Sequence, residues 1–248
     1  MSNRRSVEII TLVYKSPSYL NLIAGELQKT LDEHEEDLLF DVQAKIIGND
    51  PTDEIAKLLP QCNLPYLIYH DPEPNSHYLG RVYSAYNYGG FNSSAELICF
   101  VNSDMVFHRG WLANLLKHYD GVNIPCSRLV ESGKMRSGAW GISYNFGRTP
   151  ETIDREGFYE FCRQISRDKL VRSGLYMPCL LNKELFIKTG GFPRGNIYES
   201  GPGRRDSKFV MSGDQYYFYE VLEKEYGLRH CTVLDSLVLH IQEGELHS

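Results

Sequence analysis

The chain has 248 residues, a formal net charge of −6 and 42% hydrophobic residues. This is ordinary globular composition, with room for one large α/β domain or two small ones, and the acidic balance argues against nucleic-acid binding through a broad basic surface. The sequence has no run near the ~20 apolar residues of a membrane span. Met1–Glu8 lacks the apolar core of a signal peptide, so we expect a cytoplasmic protein without a membrane span.

The first third of the chain predicts alternating strands and helices. In chain order we expect a strand, a helix, two strands and a helix: Val7–Tyr14, Pro17–Leu31, Phe40–Ile47, Leu64–Tyr69 and Leu79–Tyr88. Gly89 and Gly90 are expected to end the last helix, and Asp53 to cap a short helix after the second strand. Such alternation implies a mostly parallel sheet with right-handed crossovers.

The segment Leu97–Phe107 is the most informative in the chain. Its apolar run stops at Asn102-Ser103-Asp104 and then resumes, and a helix follows from Trp111. A short continuous apolar run is typical of a strand buried on both faces. An acidic residue at its carboxyl end lies where open α/β sheets bind ligands, although Asp104 could equally cap the following turn or helix.

The second half predicts less regular structure. In order we expect a small-residue run, a helix, a strand, a helix, a long mobile loop, a helix and two closing strands: Ser137–Ile142, Thr149–Ile165, Met177–Asn182, Lys183–Thr189, Asn196–Lys208, Ser212–Tyr226, Arg229–Leu234 and Leu237–His240. Within the small-residue run, Trp140 suits either a sugar-stacking platform or an aromatic anchor in the core. Asp214 lies where a helix cap is expected.

The strand, the acidic tip and the Trp-Leu helix at Leu97–Leu116 resemble the metal-binding Asp-x-Asp segment of GT-A-fold glycosyltransferases, in particular the inverting family 2. Asn102 stands in place of the first aspartate of that motif. The turn Gly48–Asp53 resembles the Asp-Asp-Gly-Ser-x-Asp motif of the family, in which an acidic side chain contacts the nucleotide base. Gly48 and Asn49 replace its two aspartates.

Three later segments extend this resemblance, which spans roughly residues 7 to 240. Residues 80–87, with Gly80-Arg81 and Ala85-Tyr86-Asn87, are similar to the Gly-x-x-x-Ala-Arg-Asn-x-Gly segment beside the donor pocket. Gly213-Asp214 matches the Glu-Asp pair that begins the catalytic-base helix, with only the aspartate kept. His240 resembles the late histidine that completes the metal shell in many GT-A enzymes.

The resemblance implies a single GT-A-like α/β domain over residues 1–248, with a mostly parallel central sheet flanked by helices. Residues 1–120 would form a Rossmann-like half that binds the nucleotide-sugar, and residues 121–248 an acceptor half with the base helix. The implied reaction is transfer of a sugar from a UDP- or GDP-sugar to a hydroxyl of a saccharide-type acceptor, with inversion, as in polysaccharide biosynthesis. The implied cofactor is Mn²⁺ or Mg²⁺.

The resemblance also implies roles for individual residues. Asp104, His240 and Asn102 would hold the metal, because carboxylate-bound Mg²⁺ or Mn²⁺ neutralises a diphosphate leaving group. Asp214 would be the general base that an acceptor hydroxyl needs as a weak nucleophile. The implied donor-binding residues are Thr11, Val13, Tyr14, Asn49, Asp50, Arg81, Asn102, Ser103, Arg204, Arg205 and Lys208. The implied acceptor-binding residues are Trp140, Gly141 and Gly213.

Two other functions are compatible with parts of the sequence. A sugar-phosphate nucleotidyltransferase would want a glycine-rich basic loop after the first strand, where Tyr14-Lys15-Ser16-Pro17 offers one lysine and no glycine. A non-catalytic sugar- or nucleotide-binding relative of the same fold would explain the missing acidic residues, whereas the retained Asp104 and Asp214 argue for catalysis. No Gly-x-Gly-x-x-Gly follows the first strand, which disfavours a dinucleotide-binding oxidoreductase.

Overall fold

The computed structural model of the chain describes residues 4–73, 77–133 and 138–241. The helices are α1 (Pro17–His34), α2 (Asp53–Leu58), α3 (Tyr78–Phe91), α4 (Trp111–Lys117), α5 (Arg155–Ile165), α6 (Lys183–Lys188) and α7 (Gly213–Gln215), which continues as a π-helix over Tyr216–Glu225. Short 3₁₀ turns lie at Leu59–Gln61 and Pro150–Thr152. Among the described residues, none of the helices has the length and apolar character needed to cross a bilayer.

The strands are β1 (Arg5–Val13), β2 (Phe40–Asn49), β3 (Tyr66–Tyr69), β4 (Leu97–Val101), β5 (Met105–Phe107), β6 (Asn123–Glu131), β7 (Ile142–Ser143), β8 (Leu170–Arg172), β9 (Cys179–Asn182), β10 (Ile197–Tyr198), β11 (Gly201–Pro202), β12 (Phe209–Met211) and β13 (Arg229–His240). Ten of them form one sheet in the order β3-β2-β1-β4-β9-β6-β13-β5, with β7 beside β6 and β8 beside β13. This confirms the predicted α/β class with a mostly parallel sheet.

The direction of the strands determines where a site forms. β1 pairs in parallel with β2 and β4, and β6 pairs in parallel with β13. β9 runs antiparallel to both β4 and β6, so β4 and β6 point the same way. The carboxyl ends of β1, β2, β4, β6 and β13 therefore meet at one edge of the sheet, where α/β proteins bind ligands.

Helices cover both faces of the sheet because its strands are apolar on both sides. In β1, Ile9 and Val13 pack into the core layer beneath α1 and α4, whereas Ile10 packs into the layer beneath α3, α6 and the π-helix. Trp111, at the start of α4, is buried and donates its indole N–H to Thr30 Oγ1 of α1 at 3.0 Å. This hydrogen bond ties the start of α4 to α1.

Two predicted helix ends are wrong for identifiable reasons. α3 continues through Gly89 and Gly90 to Phe91, because these glycines serve close packing: a Cβ on Gly90 would lie 2.7 Å from Phe186. α2 is capped by Thr52 rather than Asp53, since the Thr52 hydroxyl accepts the Ile55 N–H. A glycine pair often ends a helix and an aspartate often caps one. Here packing against Phe186 keeps the glycines inside α3, and the neighbouring Thr52 hydroxyl supplies the cap instead of Asp53.

The second half departs further from expectation. The predicted helix Thr149–Ile165 is broken: a 3₁₀ turn is followed by extended backbone at Ile153, and Asp154 caps α5 by accepting the Gly157 N–H. β13 is one continuous strand with a register shift between Val233 and Leu237, rather than two strands. The predicted loop over residues 196–208 contains β10 and β11 of a small three-stranded sheet.

Candidate active site

A cavity of about 520 Å³ opens at the edge where the parallel strands end. Its walls combine polar groups from the strand ends with aromatic side chains of α3, chiefly Tyr83 and Tyr86. The sequence-predicted residues that line it are Val13, Tyr14, Asn49, Arg81, Asn102, Ser103, Asp104, Asp214 and His240. The fold thus gathers most of the predicted donor, metal and base residues around one space.

Asp104 and His240 approach each other at one point of the cavity wall. Asp104 lies in the turn between β4 and β5, and its Oδ1 is 3.3 Å from His240 Nε2 at the end of β13. The Ile241 N–H donates to the Asp104 carbonyl at 3.0 Å, which ties the turn to the strand. Both side chains are largely buried, with exposed fractions of 10% and 17%. A carboxylate oxygen and an imidazole nitrogen placed this way are suitable ligands for a divalent cation.

Asn102 is close to the same point but is held by a different partner. Its Nδ2 lies 3.4 Å from His240 Nε2, whereas its Oδ1 lies 2.9 Å from the hydroxyl of Tyr86. The Tyr86 hydroxyl is also 2.8 Å from the carbonyl of Val101. Because the amide nitrogen rather than the oxygen lies toward His240 Nε2, direct metal ligation by Asn102 would require its amide to rotate.

Glu131 is a site residue that the sequence analysis missed. It ends β6 directly beside the end of β13, and its Oε2 lies 2.9 Å from Nδ1 of His240. Its side chain is fully buried, and its Oε1 has no hydrogen-bond partner within the described ranges. A carboxylate on one imidazole nitrogen leaves the other nitrogen free for a metal and fixes the ring orientation.

The two carboxylates also determine the charge of His240. Burial opposes a positive imidazole, but Asp104 and Glu131 outweigh it and raise the pKa of His240 to about 10. Without a metal, the ring is therefore a cation between two anions. A divalent metal ion at Nε2 would replace that proton and add one positive charge, which would balance the two carboxylates.

The donor side of the cavity carries a second group of polar side chains. The guanidinium of Arg81 lies 5.9 Å from the ring centre of Tyr14, and its Nη1 is 3.6 Å from Asp50 Oδ2. Asn49 Oδ1 and Arg81 Nε are buried and lack hydrogen-bond partners among the described residues. One unsatisfied acceptor and one unsatisfied donor on a cavity wall favour a polar ligand there, since buried polar groups are normally paired.

Asp214 lies at the start of α7 and faces the same cavity. Its Oδ1 accepts from the Ser212 hydroxyl at 2.5 Å and from the Gln215 N–H at 2.8 Å. The Asp214 N–H donates to the hydroxyl of Tyr83 at 3.3 Å. Burial raises the pKa of the carboxyl group above its ordinary value of 3.8, partly offset by these hydrogen bonds. A raised pKa makes a carboxylate a stronger base.

Several predicted residues do not line the cavity. Thr11 is fully buried within β1, and Asp50 turns its Oδ1 to the Asp71 N–H at 3.0 Å. Trp140 is 37% exposed and donates its indole N–H to the Arg172 carbonyl at 2.9 Å. The others are buried glycines beside predicted site residues or exposed basic side chains near β11 and β12: Gly141, Gly213, Arg204, Arg205 and Lys208. Ser137, in the small-residue run that includes Trp140, lies outside the described residues.

No protein-family model matches the chain, and no curated protein matches its sequence. Among solved structures, the fold is similar to that of the mannosyltransferase PcManGT from Pyrobaculum calidifontis, determined in complex with GDP-Man and Mn²⁺, with a TM-score of 0.54 and 15% identity. The match covers 97% of this chain and 58% of that chain, so this chain spans less than two thirds of its neighbour. A glycosyltransferase-like fold is thereby confirmed, and membership of the inverting family 2 stays a prediction.

Proposed function

We propose that this chain transfers a sugar from a UDP- or GDP-sugar to a hydroxyl group of a saccharide or glycoconjugate, with inversion at the anomeric carbon. The observation that carries the proposal is the convergence of Asp104, His240 and Asp214 on one cavity at the carboxyl ends of parallel strands. The similarity in fold to a mannosyltransferase supports the same function.

The residues at the cavity wall fit a divalent cation. Asp104 Oδ1 and His240 Nε2 are 3.3 Å apart and offer one oxygen and one nitrogen, a combination that suits Mn²⁺ better than Mg²⁺. Bound there, the metal would neutralise charge on the diphosphate as the sugar leaves. Glu131 orients the ring of His240, and Arg81 lies where it can contact the base or a phosphate of the donor.

Asp214 supplies the base for the transfer. As the acceptor oxygen attacks the anomeric carbon, its proton passes to the Asp214 carboxylate. The bond between the anomeric carbon and the diphosphate breaks on the opposite face, which inverts the configuration. Ser212 holds one carboxylate oxygen of Asp214 in place. Arg204, Arg205 and Lys208 would reach the diphosphate if residues 196–208 moved toward the cavity as a lid.

A thermal-shift panel tests the binding step of this proposal. Nucleoside diphosphates with Mn²⁺ should raise the midpoint of thermal unfolding more than either component alone. At 100 times its dissociation constant a ligand adds ~2.7 kcal/mol, or roughly 5–10 °C for a domain of this size. The base giving the larger shift identifies the donor nucleotide. If no nucleoside diphosphate changes the midpoint with Mn²⁺ present, the proposal is wrong.

Replacing Glu131 by glutamine tests the carboxylate behind the metal ligand. Loss of such a carboxylate typically costs 10–100-fold in metal affinity, because the imidazole loses its orientation and part of its basicity. We expect Glu131→Gln to weaken Mn²⁺-supported binding of nucleoside diphosphate by that factor, measured by calorimetry. Binding without Mn²⁺ should change little.

Glu8→Gln is the matched control for this variant. Glu8 is a buried residue of β1, and its Oε1 lies 2.8 Å from Nζ of Lys45 on β2. It does not line the cavity. The control should therefore lose some stability without losing Mn²⁺-supported affinity. Equal Mn²⁺ dependence in Glu131→Gln and the unmodified chain would show that Glu131 has no role in the metal site.

A further inference from the structure

His118, Asp168 and Asp235 come together from three separate segments. His118 follows the end of α4, Asp168 lies between α5 and β8, and Asp235 lies where the register of β13 shifts. One ligand atom from each lies within 4.8 Å of the other two. The His118 Nε2 to Asp168 Oδ1 distance is 3.4 Å.

Oδ1 of Asp235 is buried without a hydrogen-bond partner among the described residues, and the buried Nε2 of His118 has only the 3.4 Å contact with Asp168 Oδ1. Asp235 is only 8% exposed, so its carboxylate is largely removed from water. Leaving buried polar atoms unpaired is costly, and a buried carboxylate is costlier still without a counter-charge. The cluster therefore contains a buried carboxylate oxygen without a partner, which a bound cation would satisfy.

We propose that His118, Asp168 and Asp235 form a zinc-type divalent-cation site separate from the cavity. One imidazole nitrogen and two carboxylate oxygens are typical zinc ligands, with water as the fourth. Ligands at about 2.0 Å in a tetrahedron are about 3.3 Å apart, close to the observed His118–Asp168 separation. Mg²⁺, which prefers six oxygen ligands, fits this set poorly.

The surrounding backbone holds the three segments in register. The Leu234 N–H donates to the Lys169 carbonyl at 2.9 Å, which joins the Asp168 segment to β13. Asn114 Nδ2 of α4 donates to the Asp235 carbonyl at 2.8 Å. An ion at this point would cross-link α4, the segment before β8 and β13, so its effect is on stability.

The site is distinct from the proposed metal position of the transfer reaction. None of its three residues lines the cavity. Asp235 precedes His240 by five positions on β13, which corresponds to roughly 16 Å of extended strand. The neighbouring Lys117 pairs with the other oxygen of Asp168, Oδ2, and leaves Oδ1 for the ion.

Calorimetric titration of Zn²⁺ into tag-free protein tests the site. The Asp104→Asn variant serves as the parent, because it removes a ligand of the cavity site. We expect one equivalent of Zn²⁺ to bind and to raise the midpoint of thermal unfolding, whereas Mg²⁺ does neither. Adding Asp235→Asn should weaken Zn²⁺ binding at least tenfold.

Two further variants keep this test decisive. Asp168→Ala changes a residue whose side chain is 61% exposed, so it should fold normally and still lose Zn²⁺ affinity. Lys117→Ala removes the competing cation without removing a ligand and should bind Zn²⁺ at least as tightly as the parent. Absence of stoichiometric Zn²⁺ binding in the parent, or equal affinity after Asp168→Ala, would overturn the proposal. Neither result would bear on the transfer reaction.

Discussion

Asp104→Asn is expected to abolish the contribution of Mn²⁺ to nucleotide binding. The substitution removes the charged oxygen that lies 3.3 Å from His240 Nε2, while the side chain keeps its shape. An amide oxygen is a much weaker ligand than a carboxylate, and the diphosphate then loses its counter-ion. Calorimetry with a nucleoside diphosphate should show at least a tenfold loss of Mn²⁺-dependent affinity, about 1.4 kcal/mol.

The fold should survive this change, because the backbone bond from Ile241 to the Asp104 carbonyl does not depend on the side chain. Asp41→Asn is the matched control: it makes the same chemical change at an exposed position near the amino end of β2, away from the cavity. Nucleotide affinity that rises with Mn²⁺ as much in Asp104→Asn as in Asp41→Asn would exclude Asp104 as a ligand.

Asp214→Asn is expected to lower the rate of sugar transfer by ~10²–10⁴, the usual cost of removing a general base. The amide cannot accept the proton of the acceptor hydroxyl. It can still accept the Gln215 N–H, so the start of α7 should be preserved. Binding of nucleoside diphosphate should stay normal, since the proposed role of Asp214 is to deprotonate the acceptor. Near-normal turnover in this variant would rule the assignment out.

The pH dependence of transfer provides a second readout for Asp214. The base works only when ionised, and burial raises its pKa above the ordinary aspartate range. The rate should therefore rise with pH along an acid limb that lies above that range. The limb should disappear in Asp214→Asn. Ser212→Ala, which removes the hydroxyl bond to Asp214 but keeps the carboxylate, should retain the limb with a smaller loss of rate.

Local patterns were enough to predict the parallel half of the sheet and the buried strand that leads to the turn containing Asp104. A continuous apolar run that ends in an acidic residue is a strong signal. The run indicates a buried strand, and the acidic residue marks the edge of the sheet at which ligands bind. The same signal is present at Glu131, after the run Ile124–Val130, but Pro125 and Arg128 interrupt its apolar character. For that reason the sequence analysis does not predict β6 or identify Glu131 as a site residue.

Other features depend on contacts that no local pattern contains. The π-helix after Asp214 uses a rare hydrogen-bonding pattern, which helical spacing alone does not distinguish from an α-helix. Gly89 and Gly90 have the residue type of a helix end, yet they lie within α3 because Ile10 and Phe186 pack against them. The cluster at Asp235 forms from segments that are far apart in the chain and could only be found in three dimensions.

Donor turnover is the most direct test of the central claim that this cavity transfers sugar. The purified chain would be incubated with Mn²⁺ and a panel of UDP- and GDP-sugars, with water as a slow acceptor and then with saccharides. Chromatography separates the possible products. We expect nucleoside diphosphate from at least one donor, and none from that donor with Asp104→Asn. If a parallel incubation with added pyrophosphate converted a donor into nucleoside triphosphate and sugar 1-phosphate, that would instead indicate a nucleotidyltransferase. Absence of any product from every donor would indicate a binding module; either result would contradict the proposed function.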